Sequence, residues 1–552
     1  MVSAFFMLPI GSHPGSTVPP LWNVFRFPFI IMSASMRPAL EKIFRNLHLK
    51  TTSGIKQGEK HPMRLLAVFV AAALAGCAVG PDFRRPDPPT VASVTSEPLP
   101  AETATSPGTG GVSQRFVSGG QIPDRWWELF RSEPLDRWIR VALADSPTLS
   151  AAEATLRQAQ ESRRAYYGTF FPAVDGSVAA ARQKISASSF GQPGAQTSPF
   201  TLYNASVDVT YTLDLFGGKR RELEALQAQV DYQRYQLEGA YLTLASNVVT
   251  TAIQEAALRG ELQATREILS TQEQQLALVE RQFRLGGAAN IEVLAQRAQV
   301  AQTRVLVPAL EKRLAQTRHL LAVLAGRFPG NAADLPEFDL EGLQLPGDLP
   351  VSLPSALVRQ RPDIRSAEEL LRAASAAVGV ATANLYPQIT LSGRYGSEAS
   401  QVGDLFRPGT AVWGIAAGLL QPIFHGGALA AQRRAAVAAF DQAAAQYRET
   451  VLQAFREVAD VLRALESDAV VLKAQAEAEA AARESLDLAQ KQFRYGASSY
   501  LSLLNAQRQY LLARILLVQA QATRYADTAA LFQALGGGWW NRDHSLEGVS
   551  RR

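Results

Sequence analysis

Cysteine is nearly missing from this chain: Cys77 is the only one among 552 residues, so no disulfide within the chain is possible. Histidine is scarce as well. Of six, only His319, His425 and His544 lie beyond the first 76 residues, and no two of these have the spacing of a metal site. His425, in IFHGG, reads as a junction residue. No glycine-rich phosphate loop followed by lysine occurs, which excludes direct use of ATP. A Gly-x-Ser-x-Gly nucleophile elbow is absent too. We therefore expect no enzymatic activity, no cofactor and no metal. The formal charge of +5 invites a nucleic-acid reading, but it is unevenly placed. Residues 1–76 hold eight of the 55 Lys and Arg and two of the 50 Asp and Glu, leaving 47 bases against 48 acids. What remains has no electrostatic case for binding nucleic acid. Acids on the helical segments stand at i,i+4 from Arg or Lys and read as solvated faces.

Long hydrophobic runs are also lacking. The most apolar stretch, Leu65–Ala75 after Arg64, is too short to span a membrane. With small residues just before Cys77 it reads as a secretory signal peptide starting at Met63, and residues 1–62 are expected to precede the true start. Leu74-Ala75-Gly76-Cys77 resembles a bacterial lipoprotein box. That resemblance implies cleavage before Cys77 and acylation of its sulfur and new amine, and Ala78 in the next position implies the outer membrane. From Cys77 to about Gly120 the chain is rich in Pro, Ser, Thr and Gly, a composition expected of an extended tether.

Trp126, Trp127 and Trp138 open the folded part, and helical periodicity runs from Pro134 to Phe171. The period then drops to two. In 204–215 Ala205, Val207, Val209, Tyr211, Leu213 and Leu215 alternate with Asn204, Ser206, Asp208, Thr210, Thr212 and Asp214, one strand face apolar and one polar. A half-buried strand of a soluble sheet gives the same alternation. A weaker strand is expected over 173–186, with 191–198 as the loop between them. A helix from Gly217 to Arg284 follows, carrying the heptad line Tyr241, Val248, Glu255, Leu262, Leu269, Leu276, Phe283. It would extend roughly 100 Å at 1.5 Å per residue. RQFRLGGAANIEVLAQ (281–296) then marks a reversal into a return helix over 290–325, with a kink expected at Pro308.

All of this happens twice. Pro147 and Pro172 recur as Pro362 and Pro387, 215 residues on; Phe216 matches Phe424 at 208; Phe283 and Gly326 match Phe493 and Gly536 at 210. The second tip is KQFRYGASSYLSLLNA (491–506), and the second heptad line is Val437, Ala444, Val451, Val458, Leu465, Leu472, Glu479, Leu486, Phe493. Between these, two more strands place Ile389, Leu391, Tyr395 and then Trp413, Ile415, Ala417, Leu419 on apolar faces. Duplication is the most specific feature of the chain. We divide it into a leader (1–76), tether (77–120), first repeat (121–330), linker (331–354), second repeat (355–538) and tail (539–552). The fold expected is mainly α with a small β part. Four strands cannot close a useful barrel, and lipid tolerates no open sheet edge, so several copies would pool their strands around water. Ser206, Asp208, Thr210, Thr212 and Asp214 would line the lumen.

The chain resembles the TolC-like outer membrane factor family, lipoprotein branch of resistance-nodulation-division efflux systems. The matching residues are LAGCAVGPDFRRP (74–86), WWELFRSEPLDRWIRVALADSPTL (126–149), QRPDIRSAEELLRAASAAVGVATANLYPQITLSG (360–393) and the two tips. The resemblance implies a homotrimer whose twelve strands form one transmembrane β-barrel above an α-barrel. It implies a passive outer-membrane exit channel for drugs or toxic small molecules, working with a periplasmic adaptor protein and an inner-membrane pump. Adaptor contact would fall on the tips Leu285, Gly286, Gly287, Tyr495, Gly496 and Ala497. Phe493 and Asn505 stand where family members often place a Tyr and an Asp that tie neighbouring helices, so that polar latch is missing here. Phe493 itself reads as a heptad core residue, and Arg494 and Tyr495 are the other gate candidates. Alternative readings are a type I secretion exit duct and a periplasmic coiled-coil adaptor lipoprotein.

Overall fold

Two helices of 67 residues each, α3 (Gly218–Arg284) and α7 (Ala428–Arg494), set the dimensions of the fold. Each is preceded by a glycine in the left-handed region, Gly217 (φ 76°) and Gly427 (φ 82°), where a side chain would be strained. Each turns back into a helix of 35 residues, α4 (Asn290–Leu324) and α8 (Tyr500–Ala534). The computed structural model describes residues 78–91, 93–186, 198–331, 333–352 and 354–542. The chain divides into Met1–Ala75 and Gly76–Arg552, and the described residues belong to the second unit. Cys77, the leader and most of the 191–198 loop lie outside the described residues.

The remaining elements are β1 (Arg115–Ser118), α1 (Glu133–Asp145), α2 (Pro147–Tyr167), β2 (Ala173–Gln183), β3 (Phe200–Leu213), β4 (Asp348–Val351), α5 (Pro354–Gln360), α6 (Pro362–Ala383), β5 (Gln388–Ala399) and β6 (Ala411–Leu420). Proline opens both α2 and α6, where its missing N–H costs nothing. The repeat is therefore physical: α2 corresponds to α6 at 215 residues, and α3–α4 to α7–α8 at 210. Strand pairing obeys the same rule, since Ala173↔Thr210 in the first hairpin becomes Gln388↔Leu420 in the second. The 208-residue spacing of Phe216 and Phe424 is confined to the strand-to-helix junction, residues 214–217 in one repeat and 421–427 in the other. Helix α4 continues through Pro308, forgoing one backbone hydrogen bond.

The main core lies where the two repeats and the segments outside them meet. Trp126 stacks on Phe532 with centroids 5.4 Å apart, and Phe130, Trp138, Val248, Ile253 and Tyr525 are buried around them. The Trp138 indole N–H donates to the Leu321 carbonyl at 3.3 Å. One expectation is corrected here. The tether is not free: β1 pairs in parallel with β4, Asp82 is ion-paired to the buried Arg221, and Arg524 donates to Thr103 Oγ1 and the Val112 carbonyl. A Pro-rich segment cannot form its own core, but it can borrow one. The linker likewise buries Leu335, Phe338, Leu340, Leu343 and Leu349. Glu255 explains this. This charged residue on the α3 heptad line is fully buried and accepts from the Phe338 N–H (2.9 Å), Arg259 (2.6 Å) and Arg318 (3.0 Å).

Heptad positions drift around a straight helix by about 20° per heptad. Val248, Glu255 and Leu262 are buried, but by Phe283 the line has rotated outward and the ring is 44% exposed. Ile268, Gln272 and Val279 take over the seam.

Candidate pore-facing sheet and helical tips

Strands β2, β3, β5 and β6 form one antiparallel sheet in that order. Because side chains alternate, the register fixes two chemically opposite faces. On the first, Ser206 Oγ and Ser177 Oγ each lie 3.0 Å from Asp208 Oδ2 as donors. Arg394, opposite Asp208 on β5, approaches its Oδ1 to 3.5 Å and donates to Asn204 Oδ1 at 2.8 Å. Asn204 in turn donates to Glu398 at 3.0 Å, and the Thr212 and Thr390 hydroxyls meet at 3.2 Å. Ser206 and Asn204 are buried under this network, and Thr210, on the same face, is exposed.

The second face carries Val174, Val178, Val207, Leu391, Trp413, Ile415 and Leu419. Val178 is 85% exposed, Ile415 83% and Trp413 74%. A soluble sheet would hide this face on its own core. Here the polar face is the better covered one and the apolar face is bare, an arrangement that water penalises.

Asp214 is not a strand residue, as the alternation had placed it. The strand ends at Leu213, and the Asp214 carboxylate accepts from the backbone N–H groups of Lys219 and Arg220, both at 3.1 Å, and pairs with Arg220. It caps the orphan donors at the start of α3. Alternation counted it as one more strand residue, because period two does not reveal where a strand stops.

At the far ends, both hairpins close with the same turn. Gly286 (φ 79°) and Gly496 (φ 72°) donate to the Phe283 and Phe493 carbonyls at 3.0 and 3.1 Å. Gly287 and Ala497 donate to Gln282 and Gln492, both at 2.8 Å. Leu285 and Tyr495 project into solvent, 79% and 83% exposed. Phe493 packs on Tyr500 at 5.5 Å beside Val279, Val293, Ala489, Leu503 and Leu504. Arg494 and Asn505 are exposed, and among the described residues no hydrogen bond joins Phe493, Arg494, Tyr495 and Asn505 to one another.

The polar tie between the hairpins is made by other residues. Tyr500 Oη donates to Gln296 Oε1 and Arg508 Nε donates to Gln299 Oε1 at 2.5 Å, while within the first hairpin Gln296 Nε2 donates to the Gln272 carbonyl at 2.8 Å. Burial, and behind it Glu292, pushes the Tyr500 hydroxyl upward, so it stays a protonated donor at any physiological pH. The signal available in the sequence was glutamine at buried seam positions of α4.

A family model described as outer membrane efflux protein matches residues 138–327 and 353–537. The chain is 33% identical over 470 residues to the pyoverdine export outer membrane protein OpmQ of Pseudomonas aeruginosa, covering 83% of this chain and 96% of that one. Among solved structures, the outer-membrane channel OprN superposes with a TM-score of 0.74 at 29% identity, covering 84% of this chain and all of that one. The open state of the Neisseria gonorrhoeae MtrE outer membrane channel gives 0.72 at 26% identity, covering 84% and 99%.

Proposed function

The chain belongs to the outer membrane efflux protein family, and we propose that it forms, as a homotrimer, the outer-membrane exit duct of a tripartite efflux pump. Its family fixes the coarser statement: it is an outer-membrane channel for efflux, working with adaptor and inner-membrane pump partners. The observation that supports the finer one is the sheet. Four strands leave β2 and β6 as open edges, with charged and hydroxyl groups on one face and bare valine, leucine and tryptophan on the other. Three copies supply twelve strands, abolish every edge, put the apolar face against lipid and turn Ser206, Asp208, Thr210 and Thr212 towards water. Among the described residues no helix is long and apolar enough to cross a membrane, so the helical hairpins are read as the periplasmic part. Acylated Cys77 would anchor the segment that packs beside Gly217.

In this reading the duct carries drugs or other toxic small molecules passively. Its tips, Leu285–Gly287 and Tyr495–Ala497, meet the adaptor, and the Tyr500–Gln296 and Arg508–Gln299 ties hold the hairpins together at rest in place of the missing Tyr–Asp latch. The test is reconstitution of detergent-purified protein in planar bilayers. Ion channels from a species of trimeric mass are expected, and a non-conducting monomer would overturn the reading. Deleting the gene should raise accumulation of toxic compounds across a broad panel.

A further inference from the structure

Buried glutamine marks the seam between the two hairpins. Among the described residues four are buried there: Gln272 on α3, Gln296 and Gln299 on α4, and Gln507 on α8. Two of them are satisfied. Gln296 accepts from Tyr500 and donates to the Gln272 backbone carbonyl, and Gln299 accepts from Arg508 and donates to Thr303. The other two are not. Neither Nε2 nor Oε1 of Gln272 has a hydrogen-bond partner among the described residues, and Gln507 Oε1 has none either. Gln272 is 0% exposed and Gln507 2%. An amide taken out of water and left unpaired is costly, so three such atoms in one place call for a ligand.

The three atoms belong to one cleft. Gln272 and Gln507 line the same space of about 200 Å³, bounded by α3, α7 and α8. Ile268 and Leu486 give it apolar wall, and Glu267 and Arg514 add one carboxylate and one guanidinium, so the cleft carries no net charge to select an ion. Its valences are more specific. One unpaired N–H group and two unpaired carbonyl oxygens require a guest with one acceptor and two donors. A primary carboxamide has that set: its oxygen accepts from Gln272 Nε2 while its two N–H groups donate to Gln272 Oε1 and Gln507 Oε1. A carboxylate has no donor, and an alcohol has one. A single water has the valence, but its share of liquid volume is about 30 Å³, and it leaves Ile268 and Leu486 without an apolar partner.

We propose that this cleft binds a small neutral primary carboxamide with an apolar body, and that the guest clamps the two hairpins by joining α3 of the first to α8 of the second. In the duct reading above, such a clamp would hold the helical end closed.

Benzamide is the probe, with benzoate and toluene as controls. In titration calorimetry of the full-length protein in detergent, benzamide is expected to saturate one site per chain, and both controls to bind at least about tenfold more weakly. Gln272→Met fills the space without offering an amide and should weaken benzamide binding by about the same factor, without lowering the melting temperature. Leu486→Trp leaves both glutamines in place, fills the cleft from α7, and should also weaken it. The absence of saturable benzamide binding, or binding that survives both substitutions, overturns the site. Toluene binding as tightly as benzamide overturns the carboxamide chemistry. The clamp is read separately, by backbone hydrogen exchange over 264–272 and 503–514. Saturating benzamide should slow exchange there severalfold in the parent and leave Gln272→Met unchanged; unaltered exchange in the saturated parent overturns the clamp. Neither measurement uses conductance, so a protein that binds benzamide yet forms no channel refutes the duct and leaves the site standing.

Discussion

At the scale of residues, the informative positions are charges that the fold has taken out of water. Glu255 sits where a heptad asks for leucine, yet it satisfies one backbone N–H of the linker and two arginines at once. Removing the carboxylate leaves the buried Phe338 N–H without its acceptor, while Arg259 keeps Glu337 and Arg318 keeps the Leu335 and Pro336 carbonyls, so the cost falls at the lower end of about 3–5 kcal/mol. Glu255→Ala should therefore destabilise the protein by about that order, with new protease cleavage in 333–347 as its signature, read by limited proteolysis and thermal melting. Asp468 on α7 is a different case. Burial, then the facing carboxyl of Asp527, lifts it to about 7 against the pull of Arg524. A carboxyl raised in the folded state binds a proton that the unfolded chain has already lost, so its contribution is intact below the ordinary aspartate range and is lost as pH climbs towards 7. Wild-type protein should melt lower at pH 8 than at pH 5, and Asp468→Asn should narrow that gap; an unchanged gap would refute the assignment.

At the scale of elements, the two hairpins differ from ordinary coiled coils in what joins them. The hydrophobic tip cluster is small, and next to it Tyr500–Gln296 and Arg508–Gln299 bridge α8 to α4. If these ties hold the closed state, Tyr500→Phe together with Arg508→Ala should raise basal conductance in planar bilayers and sensitise cells to large antibiotics, without lowering trimer stability. The turn glycines behave otherwise. A Cβ at Gly496 meets no atom within 4 Å, so Gly496→Ala strains only the backbone, by about 1–2 kcal/mol. The repeat makes these hairpins legible from the residues alone, since both tips carry the same Phe-Arg-x-Gly signal. Which side chains cross between the hairpins is not legible in that way, because it depends on how two separate heptad lines rotate against each other. Phe283 and Phe493 show this: equivalent in the sequence, one faces outward and the other is part of the tip core.

At the scale of the whole molecule, the sheet is an unfinished structure. In the trimeric reading proposed above, charges on one protomer's polar face would form a ring, and each Asp208 would act with its symmetry mates, partly offset by Arg394 at 3.5 Å. Asp208→Ala should reduce cation selectivity, measured as a shift in reversal potential under a salt gradient. Asp214→Ala should leave selectivity alone and cost about 1 kcal/mol of stability, as expected for a helix cap. Equal effects on selectivity from both variants would put Asp214 back in the lumen.

The sequence by itself determined the doubled helix–strand–strand–helix–helix order, the tips and the two-faced strands, because periodicity, proline and glycine are local constraints that the chain obeys residue by residue. Only the tertiary structure decided that the apolar strand face is left bare, that Asp214 caps a helix, and that the supposed tether and linker are fastened into the core by Arg221, Arg524 and Glu255. Those facts depend on contacts between residues as far as 421 positions apart, as Thr103 and Arg524 are, and no pattern along the chain records which distant group a buried charge will find.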